Sequence, residues 1–266
     1  MERIRVSSVQ AHRVECWDRG LQSRRIFKEK YHRMRLLRRT LSLVLVASTL
    51  GLVSCSSLAS TDFTGTNGAQ AAAPTADQQA TYAKSLHQLE DIAIKGRAPK
   101  TGYSREQFSN GWKDTDNNGC DARNDILARD LDNVEYKPAR VDCVVLSGTF
   151  HDPYTGKTIN FERGQSTSSA VQIDHVVALS DAWQKGAQKW SKDERLQFAN
   201  DPLNLLASDG PTNAAKGDKD AATWLPPNKD FRCEYVSRQT QVKAKYGAWM
   251  TQAEHDSIKK ILTSCI

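Results

Sequence analysis

The sequence lacks the motifs of two common hydrolase classes. It contains no His-Glu-x-x-His and no Gly-x-Ser-x-Gly, so the parts of a zinc protease and of a serine esterase are missing. Histidine is scarce: the chain has only six histidines, and four of them follow residue 55. Long apolar runs are scarce as well: the most apolar one, 41–53, is shorter than the roughly 20 residues of a membrane-spanning helix.

The N-terminal part of the chain has the pattern of an export signal. From Met34, the sequence Met-Arg-Leu-Leu-Arg-Arg precedes the apolar run, and Leu-Val-Ser-Cys closes it at Cys55. A charged start and a short apolar core are typical of a secretion signal, and the closing motif resembles a bacterial lipobox; the alternative is a retained membrane anchor. The predicted organisation is an upstream extension (1–33), a lipoprotein signal peptide (34–54), a flexible tether that begins with lipidated Cys55 (55–80) and a folded domain (81–266).

The positive charge of the chain is concentrated in the part that export would remove. The net charge is +6, but residues 1–54 contribute +8, which leaves −2 for the rest. A nucleic-acid footprint would therefore be a local patch and not a property of the whole surface. We expect the mature protein to be lipid-anchored on the outer face of the cytoplasmic membrane, or secreted.

Four cysteines follow the predicted tether: Cys120, Cys143, Cys233 and Cys265. An even number in an exported chain indicates two disulfides, and four cysteines allow three pairings. We favour Cys120–Cys143 and Cys233–Cys265. If 230–250 and 252–264 form an antiparallel helical hairpin, Cys233 lies about 27 Å before the turn and Cys265 about 21 Å after it, which a modest adjustment would bring to bonding distance.

Side chains suited to phosphodiester hydrolysis occur in order along one stretch of the chain. Asp174 and His175 end an apolar run, and Asn204, Asn213 and Lys216 follow. A hard metal ion takes carboxylate and amide oxygens, and a neighbouring imidazole can accept a proton from water near neutral pH. Consecutive side chains of a strand point to opposite faces, so Asp174 and His175 can reach one substrate only where the strand ends or bends.

These motifs resemble the HNH (His-Asn-His) nuclease family. Gln-Ile-Asp-His-Val-Val-Ala-Leu is similar to the family's first strand, Pro-Leu-Asn-Leu-Leu to the segment of its central Asn, and Pro-Thr-Asn-Ala-Ala-Lys-Gly-Asp to the start of its helix. With Trp-Leu-Pro-Pro-Asn, they more narrowly resemble secreted actinobacterial lipoproteins similar to the C-terminal domain of GmrSD-type restriction endonucleases. The likeness runs from Tyr103 to the C-terminus, and the ordered set is more specific than any single motif. Asn213 stands where many members have His, which leaves the metal undecided.

The resemblance implies an α+β fold with a ββα-metal core, to which the chain adds an N-terminal helical region, a β-hairpin and a C-terminal helical hairpin. It also implies that His175 is the general base, that Asp174 and Asn213 hold one Mg²⁺ or Mn²⁺, that Asn204 fixes a loop or the imidazole, and that Lys216 faces a phosphate oxygen. We expect a monomer that cleaves nucleic acid, DNA rather than RNA. The alternative is a catalytically inactive, lipid-anchored binding protein on a nuclease-like fold.

A second polar stretch, 114–125, has two interpretations. It fills positions 1, 3, 5, 6 and 12 of an EF-hand-like loop, which predicts a second site for Ca²⁺. Position 12 is Asp instead of Glu, however, and position 9 is Ala122, so the alternative is a polar turn that caps a helix over 121–131. The residues of the predicted calcium site are Asp114, Asp116, Asn118 and Asp125, with Gly119 at the sharp turn.

Three further residues are candidates for substrate contact. Arg123 and Asn124 belong to a Cys-Asp-x-Arg-Asn motif of the group that the chain resembles, and a structural role is the alternative. His151 lies at the tip of a hairpin predicted over 141–150 and 157–161. The remaining patterns predict helices over 81–97 and 176–190, a second core strand over 203–207, and burial of Trp183, Trp190 and Phe198.

Overall fold

The computed structural model describes residues 73–140 and 142–266; the predicted extension, the signal peptide, Cys55 and most of the tether lie outside these residues. The described part contains seven α-helices and five strands in two antiparallel sheets, an α+β arrangement as expected. The helices are α1 (Ala76–Glu90), α2 (Ala122–Asp130), α3 (Leu179–Gln184), α4 (Lys192–Asn200), α5 (Gly210–Lys216), α6 (Arg232–Tyr246) and α7 (Gln252–Thr263). The strands are β1 (Leu131–Tyr136), β2 (Val145–His151), β3 (Thr158–Glu162), β4 (Val171–His175) and β5 (Leu205–Asp209).

Helix α1 begins earlier and ends earlier than the predicted helix over 81–97. Thr75 and Gln78 form a capping box, in which each side chain accepts a hydrogen bond from the other residue's backbone N–H, and this fixes the start within the predicted tether. The helix buries Tyr82 and Leu89, which belong to a core cluster shared with α6 and α7. The folded unit therefore includes residues before position 81.

The N-terminal sheet has three strands in the order β1-β2-β3. The β2–β3 hairpin confirms the prediction, whereas β1 was not predicted because its sequence, Leu-Asp-Asn-Val-Glu-Tyr, has little apolar alternation. Its pairing with β2 is irregular, and Asn133 adopts a positive φ of 51° within it. The Cys120–Cys143 disulfide connects the segment before α2 to the segment before β2, as predicted.

The segment between β4 and β5 is not the single helix predicted over 176–190. Helix α3 ends at Gln184, and Gly186 adopts a φ of 131° that only glycine tolerates readily, before a short 3₁₀ turn. A capping box between Ser191 and Glu194 then starts α4. Strand β5 begins at Leu205, two residues later than predicted, because the N–H of Asn204 closes the preceding turn on the carbonyl of Asp201.

The two-stranded sheet of β4 and β5 separates two core clusters. Residues of one face, such as Ile173 and Ala207, pack with α2 and the three-stranded sheet, while Leu206 on the other face packs with α6 and α7. A third cluster contains Trp183 and Phe198, as predicted, and Trp190 packs against it. The period-2 alternation of a strand thus puts adjacent residues of β4 in different environments.

Helices α6 and α7 form the predicted C-terminal hairpin, and the Cys233–Cys265 disulfide joins them, as predicted. The C-terminal helices also take part in a buried ionic cluster with three cations and three carboxylates. Its closest contacts include Lys185 Nζ to Asp181 Oδ1 at 2.6 Å and to Glu254 Oε2 at 2.6 Å. We call this set the ionic cluster: Arg97, Asp181, Lys185, Asp220, Lys243 and Glu254.

Among the described helices, none combines the length and the apolar character that crossing a membrane requires.

Candidate active site

His175 lies at the end of β4 and is nearly buried, with 6% of its surface exposed. Its Nε2 lies 2.9 Å from the carbonyl oxygen of Ala199. Because a carbonyl oxygen only accepts hydrogen bonds, Nε2 must carry the proton, and in the neutral ring Nδ1 then keeps its lone pair. The indole of Trp112 stacks on the imidazole with ring centroids 5.6 Å apart and planes 9° apart, which fixes the orientation of the ring.

The surroundings of His175 favour its neutral form. Burial is the main cause that lowers its pKa, from 6.5 to about 3, and the positive charges of Arg105 and Lys216 act in the same direction. The hydrogen bond to Ala199 opposes this shift but is outweighed. His175 is therefore neutral across the physiological pH range, which is the state that a general base requires.

A small pocket opens at His175. Its volume is about 70 Å³, enough for a water molecule, which needs roughly 10–15 Å³ of such space. Arg105 lies at this pocket with its guanidinium carbon 5.9 Å from the ring centroid of Trp112. The lining consists of Arg105, Ser109, Gly111, Trp112, His175, Leu179 and Ala199.

Asp174 points to the other side of β4 and is engaged on both oxygens. Oδ2 accepts a hydrogen bond of 2.6 Å from the hydroxyl of Tyr154, and Oδ1 accepts one of 3.0 Å from the ammonium of Lys216. The same ammonium donates to the backbone carbonyl of His175 at 2.9 Å. Burial raises the pKa of Asp174, while Lys216 and Tyr154 act to lower it.

Helix α5 carries Asn213, the second predicted metal ligand. Asp209 caps its N-terminus by accepting from the N–H of Thr212. Asn213 Nδ2 donates to Gln172 Oε1 at 2.9 Å, so two pairs connect α5 to the same face of β4: Asn213 with Gln172 and Lys216 with Asp174. Among the described residues, Asn213 Oδ1 has no hydrogen-bond donor opposite it.

Asn204 is completely buried and holds the segment after β4 in place. Its Oδ1 accepts from the N–H of Val177 at 2.8 Å, and its Nδ2 donates to the carbonyls of Val177 and Phe198 at 3.3 and 3.4 Å. Phe198 precedes Ala199, the hydrogen-bond partner of His175. Asn204 therefore acts on the last turn of α4, which supports the imidazole, and not on the imidazole itself.

The structure brings the predicted residues together in two groups and not in one. Asp174 pairs with Leu206 and His175 with Leu205 in regular antiparallel register, so β4 does not bend between them and their side chains diverge. Asp174, Asn213 and Lys216 lie on the face covered by α5. His175 lies on the opposite face, next to Trp112.

The oxygen atoms of Asp174 and Asn213 on the α5 face are of the type that binds a hard cation. Mg²⁺ is commonly bound by one or two carboxylates, with waters and substrate phosphates completing the shell, and Asp174 with Asn213 would supply one carboxylate and one amide oxygen. The described residues contain no group of three His, Cys, Asp or Glu side chains that could hold a metal alone. Lys216 already donates to Asp174 Oδ1, so a cation there would compete with this ammonium.

The three second-rank candidates are held by structural contacts. Asn124 is buried, and its Oδ1 accepts from the N–H of Val145 and from Arg163. Arg123 is partly buried and donates to the carbonyl of Val171 at 3.3 Å. His151 is exposed and contacts Thr158 and Asp132. None of these contacts is made with Asp174, His175 or Asn213.

The predicted calcium loop is closed by its own hydrogen bonds. The carboxylates of Asp114 and Asp116 accept from the backbone N–H of Asn118, each at 3.2 Å. The Asn118 amide also donates to Asp116 and Asp125, each at 3.1 Å. All three carboxylates thus bond to one residue, Asn118, through its backbone N–H or its side-chain amide. Asp121 caps α2 by accepting from the N–H of Asn124, as the alternative interpretation required.

Three residues at the site were not predicted: Tyr154, Arg105 and Trp112. Tyr154 belongs to the His-Asp-Pro-Tyr-Thr-Gly turn, where His151 had been considered instead. Arg105 and Trp112 precede Asp174 by more than 60 residues and carry no local pattern that indicates proximity to His175. Only the tertiary fold brings them to the pocket.

Comparison with known proteins identifies the family. Residues 121–261, more than half of the chain, match the family described as GmrSD restriction endonucleases, C-terminal domain. A protein of Arthroderma benhamiae described as an uncharacterized secreted protein is 36% identical over 188 residues, which cover 70% of this chain and 86% of that protein. No solved structure matches the chain. Because the family match includes all of β4, β5 and α5 with the residues that they position, the chain belongs to the family of GmrSD restriction endonuclease C-terminal domains.

Proposed function

We propose that this protein is an HNH-type nuclease that hydrolyses phosphodiester bonds of nucleic acid. The observation that carries the proposal is the state of His175. Its Nε2–H donates to a backbone carbonyl, Trp112 stacks on its ring, and it lines a pocket large enough for water. A neutral, oriented imidazole with one free lone pair, next to a space for the nucleophile, is what general-base hydrolysis requires.

In this proposal Nδ1 of His175 takes a proton from the attacking water, whose oxygen bonds to phosphorus while the bond from phosphorus to the leaving oxygen breaks. The leaving oxygen takes a proton from solvent, and the imidazolium returns its own proton to solvent. Ala199 and Trp112 keep the ring in place, so that little ordering is needed when the substrate binds. Asp174 and Asn213 lie on the face of β4 opposite His175; they would hold one Mg²⁺ or Mn²⁺, whose positive charge would reach the phosphate around the end of β4. Tyr154 would orient the Asp174 carboxylate by its hydrogen bond, as partners of metal-binding carboxylates commonly do.

The location and the substrate belong to the same proposal. The signal-like sequence before Cys55 and the description of the Arthroderma benhamiae relative as secreted support action outside the cytoplasm, with lipid anchoring through Cys55 as the finer alternative to release. Two disulfides in the described part agree with an oxidising compartment. We propose DNA as the substrate and a monomer as the functional state. Binding of Ca²⁺ in the 114–125 loop is a separate proposal.

One observation favours the second candidate, a binding protein without catalytic activity. Asp174 is only 4% exposed, and both its oxygens already have partners. A carboxylate held in this way could serve the fold alone, as an internal counter-ion of Lys216. The protein would then bind nucleic acid, or another polyanion, without turnover.

Plasmid degradation separates the two candidates. The purified protein is incubated with supercoiled DNA and, in parallel, with single-stranded DNA and RNA, each with Mg²⁺, Mn²⁺ or EDTA. We expect cleavage by the wild type with a divalent cation and none by His175→Ala. His87→Ala, which replaces an exposed histidine of α1, is the matched control and should cleave like the wild type. Binding without cleavage under every condition supports the inactive candidate, and equal activity of His175→Ala rejects the role of His175.

A further inference from the structure

A cationic side chain that belongs to none of the recognised motifs lies at the mouth of the His175 pocket. Arg105 occupies the first position of a 3₁₀ turn, Arg105–Gln107, and its side chain is exposed. No carboxylate among the described residues forms an ion pair with it, whereas Arg97, Arg129 and Arg238 each have such a partner. Its charge is therefore available to a ligand.

The backbone of this segment is fixed, although the Arg105 side chain is exposed. Phe108 is 2% exposed and packs on Trp183 and Phe198. Arg195 Nε donates to the carbonyl of Gln107 at 2.8 Å, which holds the turn against α4. An exposed cation on an anchored turn loses little backbone freedom when it binds a ligand.

Trp112 orients the guanidinium relative to His175. The guanidinium carbon of Arg105 lies 5.9 Å from the Trp112 ring centroid, within the range of cation–π attraction, and the same ring stacks on His175. The segment of Trp112 is tied to the end of α4, because the N–H of Lys113 donates to Asn200 Oδ1 at 2.9 Å. Arg105 and His175 thus share one rigid aromatic support at one pocket.

We propose that Arg105 is the residue that binds a backbone phosphate of the nucleic acid and places it over the His175 pocket. The proposal rests on the proposed function and names the contact that selects a phosphate polyanion as the ligand. The planar guanidinium can donate two parallel hydrogen bonds to a phosphate, which gives direction as well as charge.

The other cations near the site are less suitable. Lys216 is completely buried and donates to Asp174 and to the carbonyl of His175, so its ammonium cannot meet a phosphate in this conformation. Arg123 is partly buried and faces the carbonyl of Val171. Arg105 lies before the region that the family model matches, 121–261, and the assignment is argued from its geometry.

Binding of a fluorescein-labelled single-stranded DNA oligonucleotide, measured by anisotropy in EDTA at several salt concentrations, tests the proposal without cleavage. For Arg105→Ala we expect a Kd about tenfold higher, the size that the loss of a charge-assisted hydrogen bond predicts. The slope of log K against log salt should become shallower by about 0.7, which corresponds to one phosphate contact on a single strand. Lys260→Ala removes one exposed charge from α7 and should change neither quantity.

Arg105→Gln is the second variant, because it keeps part of the stem that lies over Trp112 and removes only the charge. It decides the question by the same criteria if thermal unfolding shows that the alanine variant is not folded. A Kd within twofold of the wild type with an unchanged slope, an equal loss in Lys260→Ala, or no binding by the wild type at 50 mM salt would each overturn the proposal.

The same samples separate this proposal from the proposed function. With Mg²⁺ or Mn²⁺ added, cleavage by the wild type together with an unchanged KM and an unchanged salt slope in both Arg105 variants would reject the phosphate contact and leave the nuclease in place. Conversely, a wild type that never cleaves, but whose binding weakens by the expected factor in both variants, would reject the nuclease and leave the contact in place.

Discussion

Acidification provides a direct test of the environment of His175. Its pKa is lowered from 6.5 to about 3 in the folded protein, so between these values the unfolded chain binds one proton that the folded chain does not bind at this site. The sign follows from linkage: the contribution of His175 to stability is fully present above pH 6.5 and is lost as the pH falls towards 3. The slope is about 1.4 kcal/mol per pH unit in this window.

Urea denaturation at pH 7 and pH 5 measures this contribution. The wild type should lose about 2 kcal/mol more of its free energy of unfolding between the two pH values than His175→Ala does, because roughly 1.5 pH units of the interval lie below 6.5. All other titrating groups are shared by the two proteins. Equal losses would refute the reasoning, whatever the absolute stability of the variant.

Histidine nitrogen spectra give the same answer at the level of the atom. In ¹⁵N-labelled protein, His175 should keep one protonated and one bare nitrogen from pH 8 to pH 5, with the proton on Nε2, since this atom donates to Ala199. The same residue in urea-unfolded protein should titrate near the value of about 6.5 that is usual for a free side chain. A folded-state midpoint above about 5 would contradict the burial argument, and a proton on Nδ1 would contradict the assignment of Nδ1 as the base.

Two substitutions test the contacts behind the site. Tyr154→Phe keeps the ring packed and removes only the hydroxyl that donates to Asp174, so urea denaturation should show a loss of about 1–3 kcal/mol, and an unchanged midpoint would show that the hydrogen bond does not contribute. Lys243→Met leaves Asp181 and Glu254 buried with one cation fewer and should cost about 3–5 kcal/mol; a smaller loss than in Lys259→Met, an exposed control on α7, would contradict the role of the ionic cluster.

The features that could be predicted from the sequence are those with a local or pairwise signal. The apolar run that Asp174 and His175 end, with its likeness to the family's first strand, located β4. An even cysteine count and the length of two helices located the C-terminal hairpin and the Cys233–Cys265 bridge. The resemblance to GmrSD C-terminal domains was confirmed. Strand β1 could not be predicted from the sequence, because its pairing with β2, and not its own composition, makes it a strand.

Residues in or near a motif whose role is structural could not be separated from chemical ones by sequence alone. Asp181, two residues after the first motif, bonds to Lys185 and Lys243, and Asp220, two residues after the motif that ends at Asp218, bonds to Arg97 and Lys185. These carboxylates hold α3 and the segment after α5 to the C-terminal helices. In or near a motif, the distinction depends on whether a charge has a buried partner of opposite sign, and only the fold shows this.

The same criterion distinguishes the two cations at the site. A lysine ammonium has three donors, and Lys216 uses one on Asp174 and one on the carbonyl of His175, at zero exposure. Its charge is therefore neutralised within the protein, where the ammonium connects the end of β4 to α5 and forms an ion pair with the carboxylate of Asp174. Arg105 has the opposite properties, an exposed charge and no acidic partner in the described residues. Under the proposed function, a phosphate that approaches His175 would meet the arginine first, and the lysine would become available only if a cation took its place at Asp174.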